Sequence, residues 1–161
     1  MWLRFFKKSS GRQGLTYEQA LEEALCYGWI DGQAKPYSED SWLQKFTPRQ
    51  SRSMWSKRNR DRVARLISQG RMRAAGLKAV QAARDDGRWE QAYDSPAKMK
   101  IPSDFLAALK KDRTAYAFYK TLNKSNTYAI AWRLQTAKKA ETRARRMAAL
   151  LGMLSRGEKL H

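Results

Sequence analysis

Residues 16–33 read TYEQALEEALCYGWIDGQ, and the change of character at Gly28 decides the fold class. Thr16 and Gln19 stand at capping-box spacing: the Thr hydroxyl can cover an early helical N–H while Gln19 reaches back to the cap. Leu21, Ala24 and Leu25 then recur at helical intervals, and Gly28 is the natural stop. Beyond it the pattern becomes that of strands. Trp29 to Gln33 and Trp42 to Phe46 are expected to be two strands joined by a polar loop through Pro36, Ser38, Glu39 and Asp40. Sequential strands often pair, so these two are expected to be antiparallel neighbours. Upstream, Trp2 to Lys8 has the aromatic content of a further strand, closed by a polar turn through Gly11.

Downstream the periodicity is helical. Asn59 to Gln69 places Val63, Leu66 and Ile67 on one side and Arg60, Arg62 and Arg65 between them, with Gly70 as the stop. A second helix, Ala74 to Ala83, carries Leu77 and Val80. Arg88 to Pro102, which contains Asp94-Ser95-Pro96, has no clean period and is expected to be a long connection. Ser103-Asp104 is expected to cap a helix bearing Phe105, Leu106 and Leu109. Ala115, Phe118, Tyr119 and Leu122 form the next, and Ser125-Asn126 is expected to cap another through Tyr128 and Trp132. Met147, Leu150, Leu151 and Leu154 mark the last. The expected class is α+β: a small antiparallel sheet in the N-terminal part and a mostly helical C-terminal half. The expected organisation is a single domain, 1–161, divisible into subdomains 1–87 and 103–161 across 88–102.

Composition excludes several classes. A chain of 161 residues with 42% hydrophobic content can fill one core. No window approaches the roughly 18 uninterrupted apolar residues of a membrane span. Cys26 is the only cysteine, so no intramolecular disulfide can form, and a cytoplasmic location is expected. The first residues lack the features of a signal peptide, yet a strand opening at residue 2 leads us to expect an upstream segment. If that segment carried an export signal, the location would be periplasmic.

The one histidine, His161, is terminal, which argues against Ser/His/Asp triads, Cys/His dyads and histidine zinc sites. Neither a P-loop nor a dinucleotide fingerprint is present, and no cofactor or metal is expected. Asp31 is the best acid/base candidate, beside Gly32, which permits close backbone approach. No second carboxylate partner is identifiable, and the structural alternative is an Asp that caps a turn or pairs with Arg49 or Lys35. Cys26 lies on the inferred buried side of its helix and reads as core rather than nucleophile. Enzymatic function is therefore not the leading reading.

Charge is the stronger signal. The chain has 33 Lys and Arg against 15 Asp and Glu, a formal net charge of +18. An ordinary domain stays soluble with a net charge of roughly 2 to 8, so something anionic is expected to offset the excess. Lys45 to Arg73 holds ten basic residues against Asp61 alone, and Arg133 to Arg146 holds six against Glu141. Arg49, Arg52, Lys57, Arg58, Arg60, Lys138, Lys139, Arg143, Arg145 and Arg146 are the candidate anion-binding residues. Trp42, Phe46 and Trp55, interleaved with the first group, are either stacking surfaces for single-stranded nucleic acid or core residues. No RNP motif, zinc-finger spacing or helix-turn-helix pair supports base reading, so phosphate contacts would lead any such binding.

Several strings resemble the YdeI/OmpD-associated, or bacteriocin-protection, family. They are Trp2-Leu3-Arg4-Phe5, Leu15-Thr16-Tyr17-Glu18, Ala24 to Gly32, Phe46-Thr47-Pro48-Arg49, Trp55-Ser56-Lys57 with Asn59-Arg60, Gly70-Arg71-Met72, Thr136 to Lys139 and Glu141-Thr142-Arg143. The resemblance implies a small bacterial stress-associated or antimicrobial-resistance protein with no established catalytic residues, periplasmic in parts of the family. Its members are longer at the N-terminus. Because bacteriocins are commonly cationic, a +18 chain would repel rather than sequester them. The leading expectation is a non-enzymatic binding protein whose basic face engages an anionic polymer, nucleic acid first and anionic lipid or lipopolysaccharide second. The alternative is a small-ligand or enzymatic pocket built from Trp29, Asp31, Thr47, Arg49, Trp55 and Asn59.

Overall fold

The computed structural model describes residues 1–95 and 98–160, so Pro96 of the expected connection and the terminal His161 lie outside the described residues. The chain forms two compact units, Met1–Ala92 and Tyr93 to the C-terminus. The α+β class is as the sequence led us to expect.

The first unit holds β1 (Trp2–Phe6), α1 (Tyr17–Cys26), β2 (Trp29–Ser38), β3 (Ser41–Pro48), α2 (Lys57–Ser68) and α3 (Ala74–Asp85). The three strands make one antiparallel sheet in the order β1-β3-β2, with Phe5 opposite Trp42 and Ile30 opposite Thr47. β1 is shorter than expected, and Lys8–Ser10 forms a 3-10 turn. β2 is longer: it continues through Pro36 to Ser38, leaving only Glu39 and Asp40 as the turn. Pro36 is tolerated because β2 is an edge strand and its pairing shifts between Pro36 and Ser38. A second shift, between Asp31 and Ala34, is filled by buried Gln44, whose Nε2 donates to the Gly32 carbonyl at 2.8 Å.

Both halves of the α1 capping box form: Gln19 N–H donates to Thr16 Oγ1 at 3.2 Å and Thr16 N–H to Gln19 Oε1 at 2.9 Å. Ala20, Leu21, Leu25 and Cys26 then pack into a core with Phe5, Phe46, Trp55, Val63 and Leu66. Along α2 the buried row is Asn59, Val63 and Leu66, at i, i+4 and i+7, so Ile67 falls outside it and is exposed. On α3 the buried residues are Gly76, Val80 and Ala83, and Leu77 faces outward. The rotation of α3 follows from close backbone contact. Arg73 N–H donates to the Cys26 carbonyl at 3.0 Å, and a Cβ on Gly76 would lie 2.2 Å from that oxygen. Gly28, at φ +75°, ends α1 and meets the same helix: a Cβ there would sit 2.9 Å from the Ala75 carbonyl oxygen. Arg88 to Ala92 also belong to this unit, with Arg88 and Ala92 buried and Trp89 edge-on to Trp55 at 5.0 Å.

The second unit contains α4 (Ser103–Leu109), α5 (Arg113–Tyr119), α6 (Lys124–Gln135) and α7 (Ala140–Ser155). Its core is Phe105, Leu109, Ala115, Ile130, Leu134, Leu150 and Leu154. Two caps differ from expectation. Pro102 holds the cap position of α4, so Ser103 is already helical. For α6 the cap is Asn123, whose Oδ1 accepts from Asn126 N–H at 2.9 Å; Asn126 is buried, and its own Oδ1 accepts from Leu160 N–H at 3.2 Å. Leu122 lies beyond the end of α5 but still packs on the core. Among the described residues, no helix is long and apolar enough to cross a membrane.

Candidate anion-binding surface

In the first unit the basic residues have different fates. Arg49, which follows β3, lies with its guanidinium 3.5 Å from the centroid of the Trp55 ring, and its Nη1 donates to the Met54 carbonyl at 3.2 Å. Trp55 is 1% exposed, so it is core rather than a stacking platform, and Phe46 is equally buried. Trp42 is the exception, half-buried on the sheet. Arg52 is exposed in the loop before α2, while Lys57 and Arg58 are exposed on its first turn. Arg60 turns toward Trp89, with Nη1 3.4 Å from its carbonyl oxygen. Arg65 and Arg71 both engage Glu22, Arg71 at 2.9 Å.

Asp31 does not pair with Arg49 or Lys35. Tyr17, from the first turn of α1, donates its hydroxyl to Asp31 Oδ2 at 2.7 Å. Burial, then the hydrogen bond and charge of Asp31, raise the Tyr17 phenol above its ordinary value, against the opposing pull of Arg62 and Arg58. Tyr17 therefore remains a hydrogen-bond donor. Lys35 instead lies 4.7 Å over the Trp2 ring. Burial also raises the Cys26 thiol, as fits a core residue.

The expected pocket residues are divided among several environments. Arg49 and Trp55 meet; Asn59 is buried on α2, and Thr47 lies opposite Ile30 in the sheet. Trp29 lines an apolar cavity of about 490 Å³ with Met1, Leu15, Ala20, Tyr27 and Phe46, without the other five. A second cavity, about 410 Å³, opens between β1 and the start of α1. Tyr17, Lys7, Lys8 and Arg12 border it, and sequence reasoning had assigned none of them a role. The Lys7-Lys8 doublet and Arg12, placed just before a capped helix, were the available signal.

In the second unit, Arg143 makes a two-pronged pair with Asp104 at 2.6 and 2.9 Å. Its hydrogen bond holds the Asp104 carboxyl below its ordinary range. Arg146 donates to the Arg133 carbonyl at 2.8 Å. Lys138, Lys139 and Arg145 are exposed around the start of α7. The first unit carries 18 basic residues against 10 acidic, and the second 15 against 5.

The fold defines a strongly basic two-unit α+β protein, and no group of three metal-ligating side chains occurs among its described residues. Residues 98–157 match the family model described as bacteriocin-protection, YdeI or OmpD-associated, so the chain carries a YdeI/OmpD-associated family domain. Residues 1–79 match the model of a domain of unknown function (DUF8412). The C-terminal strings of the resemblance, Thr136 to Lys139 and Glu141 to Arg143, fall within the first match, and its N-terminal strings within the second. No curated protein and no solved structure matched the chain.

Proposed function

We propose that this is a non-enzymatic binding protein whose basic surfaces engage an anionic polymer, nucleic acid first. The carrying observation is how the carboxylates are used. Glu22 is committed to Arg65 and Arg71, Asp86 to Arg88, Asp104 to Arg143 and Glu158 to Arg156. Exposed Arg52, Arg58, Lys138, Lys139 and Arg145 are left to dominate the surface potential of their respective units. Such a surface attracts phosphates at long range and gains affinity from counterion release. A role in stress or antimicrobial resistance would then act through this polymer rather than through capture of cationic peptides.

The test is fluorescence anisotropy of labelled single-stranded RNA and DNA with the full chain across a salt series. Log affinity should fall linearly with log salt, at about 0.7 per phosphate neutralised. The triple variant Lys138→Glu, Lys139→Glu, Arg145→Glu should weaken binding about tenfold or more and flatten the slope. Binding that is absent or salt-insensitive near 150 mM salt would overturn the proposal. So would preference for phosphatidylglycerol vesicles over both oligonucleotides.

A further inference from the structure

The cavity of about 410 Å³ between β1 and the start of α1 combines three features that the polymer reading does not use. Its volume lies within the range of about 300 to 1,000 Å³ typical of small-molecule sites. The lining is partly aromatic. Trp42 and Tyr17, both half-buried, stand 5.8 Å apart with their planes at 45°, backed by buried Phe5 5.0 Å from Trp42. The lining is also cationic: Lys7, Lys8 and Arg12 belong to it, with the carboxylate of Glu18 in the lining and that of Asp40 beside Arg12.

Arg12 has two neighbours at the rim. Its guanidinium lies 5.2 Å from the centroid of the Phe6 ring and 3.5 Å from Asp40 Oδ2. The first turn of α1 contributes Thr16, Tyr17 and Glu18 to the wall, so the positive end of the helix dipole adds to the cationic character of the lining. Tyr17 is fixed from behind through its hydroxyl bond to Asp31, which orients the ring without occupying the cavity with a charge. A lining that joins aromatic rings to cations matches a molecule with a flat π-system at one end and a dianion at the other.

We propose that this cavity binds an aromatic phosphate monoester of mononucleotide size, with the ring against Trp42 and Tyr17 and the phosphate among Lys7, Lys8 and Arg12. The site stands on its own geometry and does not depend on the polymer reading. The probe is adenosine 5′-monophosphate, titrated into the isotope-labelled full chain and followed by nuclear magnetic resonance. Saturable shifts are expected at the Trp42 indole and at the amides of Lys7, Lys8, Thr16 and Tyr17, with half-saturation at or below about 1 mM. Lys8→Gln should weaken binding severalfold and Arg12→Glu about tenfold or more, whereas Lys111→Glu, exposed in the second unit, should leave it unchanged. Adenosine and ribose 5-phosphate, each lacking one half of the recognised pattern, should both bind more weakly than the monophosphate. Dispersed shifts across all basic surfaces, equal binding of ribose 5-phosphate, or no saturation near 1 mM would overturn the proposal. The spectrum of each variant reports its fold directly. Because the oligonucleotide assay reads Lys138, Lys139 and Arg145, either proposal can fail while the other stands.

Discussion

The two units achieve order by different means. The first brings together segments distant in sequence, and its backbone approaches are so close that Gly28 and Gly76 have no room for a side chain. It also buries polar groups that need exact partners in space, such as Gln44 on the Gly32 carbonyl and Arg88 on Asp86 and the Ser53 carbonyl. The second unit is a set of short helices around an aliphatic core, with Asp112 and Asn123 as local caps. Local rules thus specify most of the second unit, whereas the first depends on contacts that form only when its elements meet.

A pair of glycines tests that difference most severely. Gly76→Ala should destabilise the first unit by about 3 kcal/mol, because its Cβ would strike the Cys26 carbonyl oxygen and neither backbone can yield cheaply. Gly152→Ala on α7 should have the opposite sign, a gain of about 0.5 to 1 kcal/mol, since the nearest atom is the end of the flexible Arg156 side chain at 3.4 Å. Urea unfolding of each variant checks both signs. Equal losses at the two positions would erase the distinction.

What could be read from the sequence follows the same division. The α1 capping box, the stop at Gly28 and the pairing of β2 with β3 were legible because each rests on short-range chemistry. Leu77 and Ile67 were misplaced because apolar residues do not by themselves reveal how a helix is rotated; the contact of Gly76 with Cys26 and the inward turn of Asn59 determine it. The Asn123 cap was missed because Ser125-Asn126 offered equally good capping residues a few positions later. At the candidate site, exposed charge was readable as composition, but the Tyr17–Asp31 bond joins residues on different elements. The same is true of the second cavity, to whose lining the register of β1 with β3 adds Trp42, opposite Phe5.

Ion pairs give the next test, of intermediate size. The Arg88 side chain is 6% exposed and joins Asp86 at 2.7 Å to the Ser53 carbonyl at 2.9 Å. Arg88→Met should cost about 2 kcal/mol, because the carbonyl loses its partner. Arg143→Met breaks a pair of equally good geometry, but Asp104 is 52% exposed and water can replace the arginine. Its loss should be clearly smaller. A double-mutant cycle in which the Arg143 pair proved the stronger would show that the second unit also relies on particular long-range polar contacts.

The smallest expected effect concerns acid. Asp112 accepts from Ser155 Oγ and caps α5 by accepting from Ala115 N–H at 3.0 Å, and these bonds, the first above all, hold its carboxyl below its ordinary range. A carboxylate depressed on folding stabilises the protein fully above its unfolded pKa, near 4, and loses that contribution as pH falls through the lower folded value. Asp112→Asn keeps an acceptor oxygen for the cap but cannot titrate. The variant should be slightly less stable than the parent near pH 7 and lose less between about pH 5 and 2, so that the two converge in acid, measured by circular dichroism during thermal unfolding. If the local cap governs this part of the second unit, the deficit near pH 7 should be small. A large loss already at pH 7 would mean that the charge itself, through Ser155 on α7, joins distant elements there as tightly as backbone contact does in the first unit.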